Sequence, residues 1–157
     1  MRKQILLMIA LVVASVVITI CPAQAQPDRD QDCSDATLRG SYAFTIHGAI
    51  LAGPAAGTVD GIALSIFDGE GNMAQVDVVS HNGTVAQVWR PGTATYDVES
   101  DCTGTMTLTA PGGPPLDLAF VIAQQGKEIH TVVINPGFAI TSDAVRTGNQ
   151  SRVRDRE

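Results

Sequence analysis

The sequence predicts an all-β domain, an antiparallel up-and-down barrel of about eight strands with one disulfide bond. From Gly40 to Val145, apolar and polar residues alternate with a period of two, and no helical period is sustained. Short turns rich in glycine, proline and asparagine separate the segments, so consecutive strands should be antiparallel neighbours. Such strands can protect their edges in a closed barrel or in a two-sheet sandwich. The lack of long crossover connections favours the barrel.

Residues 1–25 are predicted to be a secretory signal peptide. A basic start at Arg2 and Lys3 precedes an apolar run over residues 5–20, and residues 23–25 form a small-x-small cleavage site. The run is slightly shorter than the roughly 20 apolar residues of a spanning helix. An uncleaved anchor and a lipid anchor on Cys21 are the alternatives, although Ile20 is larger than lipoprotein processing requires. The protein is therefore expected to be bacterial and secreted or periplasmic.

Cleavage leaves a mature chain whose charge excludes several partners. Loss of Arg2 and Lys3 reduces the basic residues from 10 to 8 against 16 acidic ones, which gives a net charge of −8. Nucleic acid is excluded as a partner because its affinity comes mainly from phosphate neutralisation. We also expect no membrane association after cleavage and no cofactor. The oligomeric state is not determined by these features.

The domain boundaries follow from where the alternation begins and ends. Residues 26–35 form a polar N-terminal lead, residues 36–146 the barrel, and residues 147–157 a flexible tail. The strongest turn signal is Asn82-Gly83, which suits the turn that joins twisted antiparallel strands. The predicted strand segments are residues 40–50, 62–66, 73–80, 85–89, 93–98, 103–110, 116–122, 129–134 and 138–145.

Cys33 and Cys102 are predicted to form a disulfide bond. They are an even pair in an exported chain, where disulfides are stable. Closing a loop of about 70 residues should stabilise the fold by roughly 4 kcal/mol. Two free thiols that serve catalysis or metal binding are the alternative, which the wide spacing without a C-x-x-C motif disfavours. Cys102 lies in a turn about midway through the strands, so the bridge would join this turn to the segment before the first strand.

Several motifs resemble those of small exported bacterial β-barrel proteins whose functions are mostly uncharacterised. The shared features are a cysteine followed by a Gly-x-Tyr-x-Phe strand, a Phe-Asp-Gly-x-Gly-Asn hairpin and an Asp-Cys-Thr-Gly-Thr turn. They lie here at Cys33, residues 40–44, residues 67–72 and residues 101–105. More remotely, the layout is similar to the barrels of allene oxide cyclases and lipocalins, which hold apolar small molecules. These resemblances imply an architecture, and no catalytic residue is carried over.

Polar residues inside the apolar strands are the candidate ligand-binding residues. In a half-solvated sheet they face water. In a barrel wide enough for a ligand, the same face can be the lumen, where a few polar groups orient an apolar molecule. One sequence does not determine which face is internal. The candidates are His47, Asp77, Trp89, Asp117 and His130, with Gln75 and Gln87 beside them.

No motif indicates a catalytic or metal site. The three histidines lack close zinc-ligand spacing, and the glycine-rich hairpin after Phe67 lacks the glycine and glutamate of a calcium loop. A nucleophile elbow and a phosphate-binding loop are also missing from the sequence. The leading hypothesis is a non-enzymatic module that binds a small apolar ligand. The alternatives are a cyclase or isomerase that uses the strand acids or histidines, and a structural or surface-interaction protein with a filled core.

Overall fold

Eight antiparallel strands close into a barrel in the computed structural model, which describes residues 32–148. The ring runs β2-β1-β9-β8-β7-β6-β5-β3, and β3 pairs with β2 to close it. The predicted barrel is thereby confirmed, with one short additional strand, β4. The predicted signal peptide and most of the predicted tail lie outside the described residues. The strands are β1 (Arg39–Ile50), β2 (Gly57–Asp68), β3 (Asn72–His81), β4 (Thr84–Val85), β5 (Arg90–Val98), β6 (Thr103–Thr109), β7 (Leu116–Ala123), β8 (Glu128–Val133) and β9 (Phe138–Gly148).

The fourth predicted strand differs most from the structure. Only Thr84–Val85 pair with β3, and the chain leaves the sheet before Trp89, whose φ of 57° turns it back. β5 then begins at Arg90 and runs through Pro91, where a break was predicted. Proline is tolerated at this position because β5 is an edge there: its pairing with β6 begins only at Thr93.

The inward face of each barrel strand is set by closure of the ring. In β2 the small side chains of Ala63 and Ser65 are buried inside the barrel, whereas Ile62 is exposed on the outer wall. In β3, Gln75 and Asp77 also face inward and are buried, between the inward residues Met73 and Val79. Small and polar side chains therefore share the inward face of this wall with larger apolar ones such as Val59 and Met73.

The N-terminal segment closes one end of the barrel. A 3-10 turn at Asp35–Thr37 leads into Leu38, which is fully buried. The Asp35 carboxylate accepts a hydrogen bond from the backbone N–H of Val98 at 2.9 Å. The disulfide between Cys33 and Cys102 is present as predicted and fastens this segment to the β5–β6 turn. The bridge thus holds the N-terminal lead across the closed end.

An aromatic cluster fills the space above this closed end. The ring of Phe67 makes edge contacts with Tyr42 and Tyr96, at centroid distances of 5.3 and 5.2 Å. Both phenols are hydrogen-bonded: Tyr42 donates to the carbonyl of Gly126 at 2.6 Å, and Tyr96 donates to that of Leu38 at 3.2 Å. Burial raises the pKa of both phenols, that of Tyr96 to about 12. The closed half of the barrel is therefore a packed core.

No helix within residues 32–148 has the length and apolar character needed to cross a membrane.

Candidate functional site: a cavity at the open end

The other half of the barrel encloses a cavity of about 750 Å³. All eight barrel strands and three of the loops at the open end contribute to its lining, which is mainly aliphatic and aromatic. The inward residues that form most of the wall are Phe44, Ile46, Val59, Val79, Met106, Leu108, Leu118, Val133, Phe138 and Ile140.

The cavity exists because several inward positions carry short side chains. Ala63 in β2, Thr131 in β8 and Ser142 in β9 all line it and are buried. Bulkier residues at these positions would fill the lumen, as the aromatic residues do at the closed end. The sequence has few aromatic residues, and Tyr42, Phe67 and Tyr96 are concentrated at that closed end. The open half is consequently left unfilled.

A charged pair lies in the cavity wall between β3 and β5. Arg90 donates from Nε to Asp77 Oδ1 and from Nη2 to Asp77 Oδ2, each at 3.0 Å. The Asp77 side chain is only 4% exposed and that of Arg90 is 32% exposed. A buried carboxylate is tolerated when it is paired and hydrogen-bonded in this way.

Two further residues extend this pair into a polar strip along the wall. Gln75 donates from Nε2 to Asp77 Oδ2 at 3.1 Å, and Ser65 donates to Gln75 Oε1 at 3.3 Å. On the opposite wall, Thr131 Oγ1 and Ser142 Oγ share a hydrogen bond of 2.6 Å. The cavity thus has the composition of many ligand sites, an apolar lining with a few placed polar groups.

Arg90 has N–H donors that its two bonds to Asp77 do not use. A guanidinium group carries five N–H bonds, and the two bonds to Asp77 use one on Nε and one on Nη2. The remaining three are available to solvent or to an acceptor atom of a bound molecule. Because the carboxylate of Asp77 balances the charge of Arg90, the pair favours a hydrogen-bond acceptor without requiring a charged one.

The loops at the mouth of the cavity are anchored to the end of β3. His81 donates from Nε2 to the carbonyl oxygen of Ala55 at 2.8 Å. The side chain of Asn82 accepts from the backbone N–H of Thr58 at 3.0 Å and donates to the carbonyl of Ala56. These bonds hold the β1–β2 loop beside the opening.

Of the five predicted candidates, the structure brings Asp77 into the cavity. His47 lies on the outer wall beside Asp60, with Nδ1 3.2 Å from its carboxylate. His130 is also on the outer wall, with Nδ1 2.6 Å from Asp143 Oδ1.

The other two candidates are also exposed. Asp117 lies at the start of β7 and accepts hydrogen bonds from Thr107 at 2.9 Å and from Asn135 at 3.3 Å. Trp89 immediately precedes β5 and is 40% exposed at the rim of the mouth. Neither residue lines the cavity.

Sequence reasoning did not identify Arg90. Arg90 was not considered as a strand residue, because the predicted strands end at residue 89 and resume at residue 93. An acid in an apolar strand needs a partner if it is buried, so Asp77 itself was a signal to look for a nearby cation. Only the β3–β5 register, which pairs Asp77 with Arg90, identifies that cation.

A second depression, of about 1110 Å³, lies toward the closed end and is more polar. Its lining includes Asp68, Glu70 and Asn72 of the β2–β3 hairpin and outward threonines of β5 and β6. Asp68 and Asn72 are bonded to each other there, which satisfies the turn. This depression is a solvent-facing surface rather than an enclosed site.

Within residues 32–148, no group of three or more histidine, cysteine, aspartate or glutamate side chains is placed to hold a metal ion. No protein-family model, curated protein or solved structure matches the chain. The resemblances to small exported bacterial proteins and to cyclase and lipocalin barrels therefore stay predictions.

Proposed function

We propose that this protein is an exported, non-enzymatic module that binds a small, largely apolar ligand inside the barrel. The observation that supports it is the cavity of about 750 Å³ with its mainly apolar wall. Sites for small molecules typically enclose roughly 300–1,000 Å³ and combine such a wall with a few polar groups. Burial of the ligand's hydrocarbon surface would supply most of the binding free energy.

The ligand is expected to have one polar end. Arg90 lines the cavity with about a third of its side chain exposed, and its remaining N–H donors suit a carbonyl, carboxylate or hydroxyl oxygen. The apolar body would then lie along Val133, Leu118 and Ile140. Export is supported by the disulfide bond, which is stable in an oxidising compartment.

Filling the cavity tests this function. The fluorescent probe phenylnaphthylamine should bind the wild-type protein with enhanced emission. Val133→Phe places a ring in the lumen and should weaken probe binding by roughly tenfold or more, since the ring occupies the ligand's volume. Val132→Phe is the matched control, because Val132 is the preceding residue of β8 and is exposed on the outer wall. Ala63→Phe is a second lumen variant in case Val133→Phe does not fold.

The proposal would be overturned by a wild-type protein that does not bind the probe. It would equally be overturned if folded lumen variants bound it as well as Val132→Phe does.

The position of Asp77 supports a second candidate, an isomerase or cyclase. Its carboxylate lies in the cavity within hydrogen-bond distance of Arg90 and Gln75. A bound molecule could therefore contact an acidic group and a cationic group at the same point of the wall. Isomerisation and cyclisation change no mass. Chromatography of a host lipid extract incubated with the protein should then show an isomer that Asp77→Asn does not produce. The absence of any such change would remove this candidate.

The structural or surface-interaction role predicted as a third possibility requires a filled core. The cavity gives that hypothesis no support.

A further inference from the structure

The two ends of the barrel differ in charge. Four connections surround the mouth: residues 51–56, 82–89, 110–115 and 134–137. None of them contains an aspartate, glutamate, lysine or arginine. At the closed end, the lead and the turns carry Asp32, Asp35, Glu70, Glu99, Asp101 and Lys127. The acidic character of the chain is thus directed away from the mouth.

The rim of the mouth is apolar as well as uncharged. Five large apolar side chains on these connections are between 40% and 65% exposed: Leu51, Val85, Val88, Trp89 and Ile134. Single exposed apolar residues are common, but a group around one opening marks an interaction surface. We call these five residues the apolar rim.

The charged residues nearest in sequence to the four connections, Arg90 and Asp117, are both hydrogen-bonded to other side chains. Arg90 is bonded to Asp77 in the cavity wall. Asp117, the second residue of β7, lies on the outer wall and accepts hydrogen bonds from Thr107 and Asn135. The connections themselves therefore bring no charged side chain to a surface that contacts the apolar rim.

We propose that the apolar rim docks the open end of the barrel on a lipid surface whose headgroups carry no net charge. The inference rests on the proposed function, because docking there lets an apolar ligand pass between lipid and cavity without crossing water. Trp89 suits the boundary, since tryptophan favours the interface between headgroups and acyl chains. The sequence predicted no membrane association because the chain is acidic, and that argument applies to anionic surfaces. Because the connections around the mouth carry no charged residue, the same argument does not apply to uncharged lipid.

Charge also sets the orientation and the lipid preference. With the acidic turns at the closed end, the mouth is the face that can meet the membrane with the least desolvation of charged side chains. Anionic lipid would repel the acidic chain as a whole, most strongly at low salt. Binding to phosphatidylcholine vesicles should therefore exceed binding to vesicles containing phosphatidylglycerol, and the difference should shrink as salt is raised.

The intrinsic probe for the experiment is Trp89, the single tryptophan of the chain. Phosphatidylcholine vesicles should shift its emission to shorter wavelength and carry the protein upward in flotation. Leu51→Asp and Val88→Asp should each weaken this partitioning by roughly tenfold or more, because a charge is placed in the contact. Val121→Asp and Val145→Asp are matched controls: both residues are comparably exposed on the outer wall toward the closed end, and their variants should partition as wild type does.

Two outcomes would overturn docking. The first is the absence of vesicle binding, or a loss that is equal in rim and control variants. The second is a dimer in analytical ultracentrifugation that the rim substitutions dissociate without any vesicle binding, since a second copy would then cover the rim. Phenylnaphthylamine binding measured without vesicles separates this failure from that of the proposed function. Rim variants that still bind the probe leave the ligand cavity standing, whereas a wild type that does not bind it removes the ligand itself.

Discussion

Asp77 and Arg90 face each other at the last registered pair between β3 and β5, and two hydrogen bonds of 3.0 Å join them. The Asp77 side chain is almost fully buried, while about a third of the Arg90 side chain is exposed. The pair therefore connects the interior of the cavity to its mouth. It also explains how an acid is accommodated in an otherwise apolar wall.

Removing only the cation should destabilise the protein more than removing both charges. Arg90→Met leaves the Asp77 carboxylate buried without its partner and should cost about 3 kcal/mol in the free energy of unfolding. The double variant Asp77→Leu/Arg90→Met should recover most of that loss, because no charge is then left buried. Urea unfolding of the wild type, both single variants and the double variant measures the coupling. Additive effects of the two single substitutions would contradict a direct interaction.

Loss of the disulfide should affect stability without affecting the cavity. The bridge closes a loop with a sequence separation of 69 residues, so Cys102→Ser should lower the free energy of unfolding by up to roughly 4 kcal/mol. Cys33 and Cys102 lie at the closed end, whereas the cavity is at the open end. The melting temperature should therefore fall while phenylnaphthylamine binding is retained below the transition. Weakened probe binding with an unchanged melting temperature would refute this separation.

Alkaline pH should unfold the protein through its buried tyrosines. The pKa of Tyr96 is raised from the ordinary value of 10.0 to about 12. Burial is the main cause, and the nearby carboxylates of Asp68 and Asp35 raise the pKa further, while hydrogen bonds from the backbone lower it in part. Between pH 10 and pH 12 the phenol of Tyr96 keeps its proton in the folded state, whereas in the unfolded chain the same phenol has lost it. The stabilisation is thus fully present below pH 10 and is lost as the pH rises through 12.

Phenolate absorbance measures this directly, since Tyr42 and Tyr96 are the two tyrosines of the chain. Ionisation in the native protein should be delayed above pH 10 and should coincide with loss of structure, whereas urea-unfolded protein should titrate near 10. In Tyr96→Phe, stability should depend less on pH in this range. Ordinary titration of both tyrosines in the folded protein would show that the phenols are not protected.

Gly104 should not accept a side chain. A Cβ added there would overlap the ring of Phe120, its partner across β6 and β7, and the carbonyl oxygen of Asp97. Gly104→Ala should consequently cost about 1–3 kcal/mol. Gly113→Ala is the control, because a Cβ at Gly113 meets no atom within 4 Å. Thermal unfolding of both variants checks this, and equal melting temperatures would show that the β6–β7 wall can move to make room.

Much of the fold follows from local sequence. The period-two alternation and the glycine-rich turns predict antiparallel strands because both are local properties of the chain. The disulfide follows from two cysteines in a chain that is predicted to be exported. The strand before Arg90 was mispredicted because an apolar run of Val85, Val88 and Trp89 resembles a strand, although in the structure it forms part of the rim.

The candidate site was only partly predictable. In sequence, Asp77 and Asp117 look alike: each is an acid between apolar residues of a predicted strand. In the structure Asp77 is buried against Arg90, and Asp117 is exposed beside Thr107. Alternation shows that two faces exist without showing which is internal. The same uncertainty applied to His47 and His130. Both lie on the outer wall, because the pairing of their strands with the adjacent strands decides which side chains face outward.

By itself, the sequence determined most of the strands and turns, the bridge from Cys33 to Cys102 and the absence of charge in the loops around the mouth. Only the tertiary structure decided which face of each strand is internal and that the open half is a cavity. Closure of the ring fixes the register of every pair of strands at once, and a shift of one residue would reverse inside and outside. The register between β3 and β5 brings Asp77 to Arg90. This register depends on residues far apart in the chain, so no local sequence pattern reveals it.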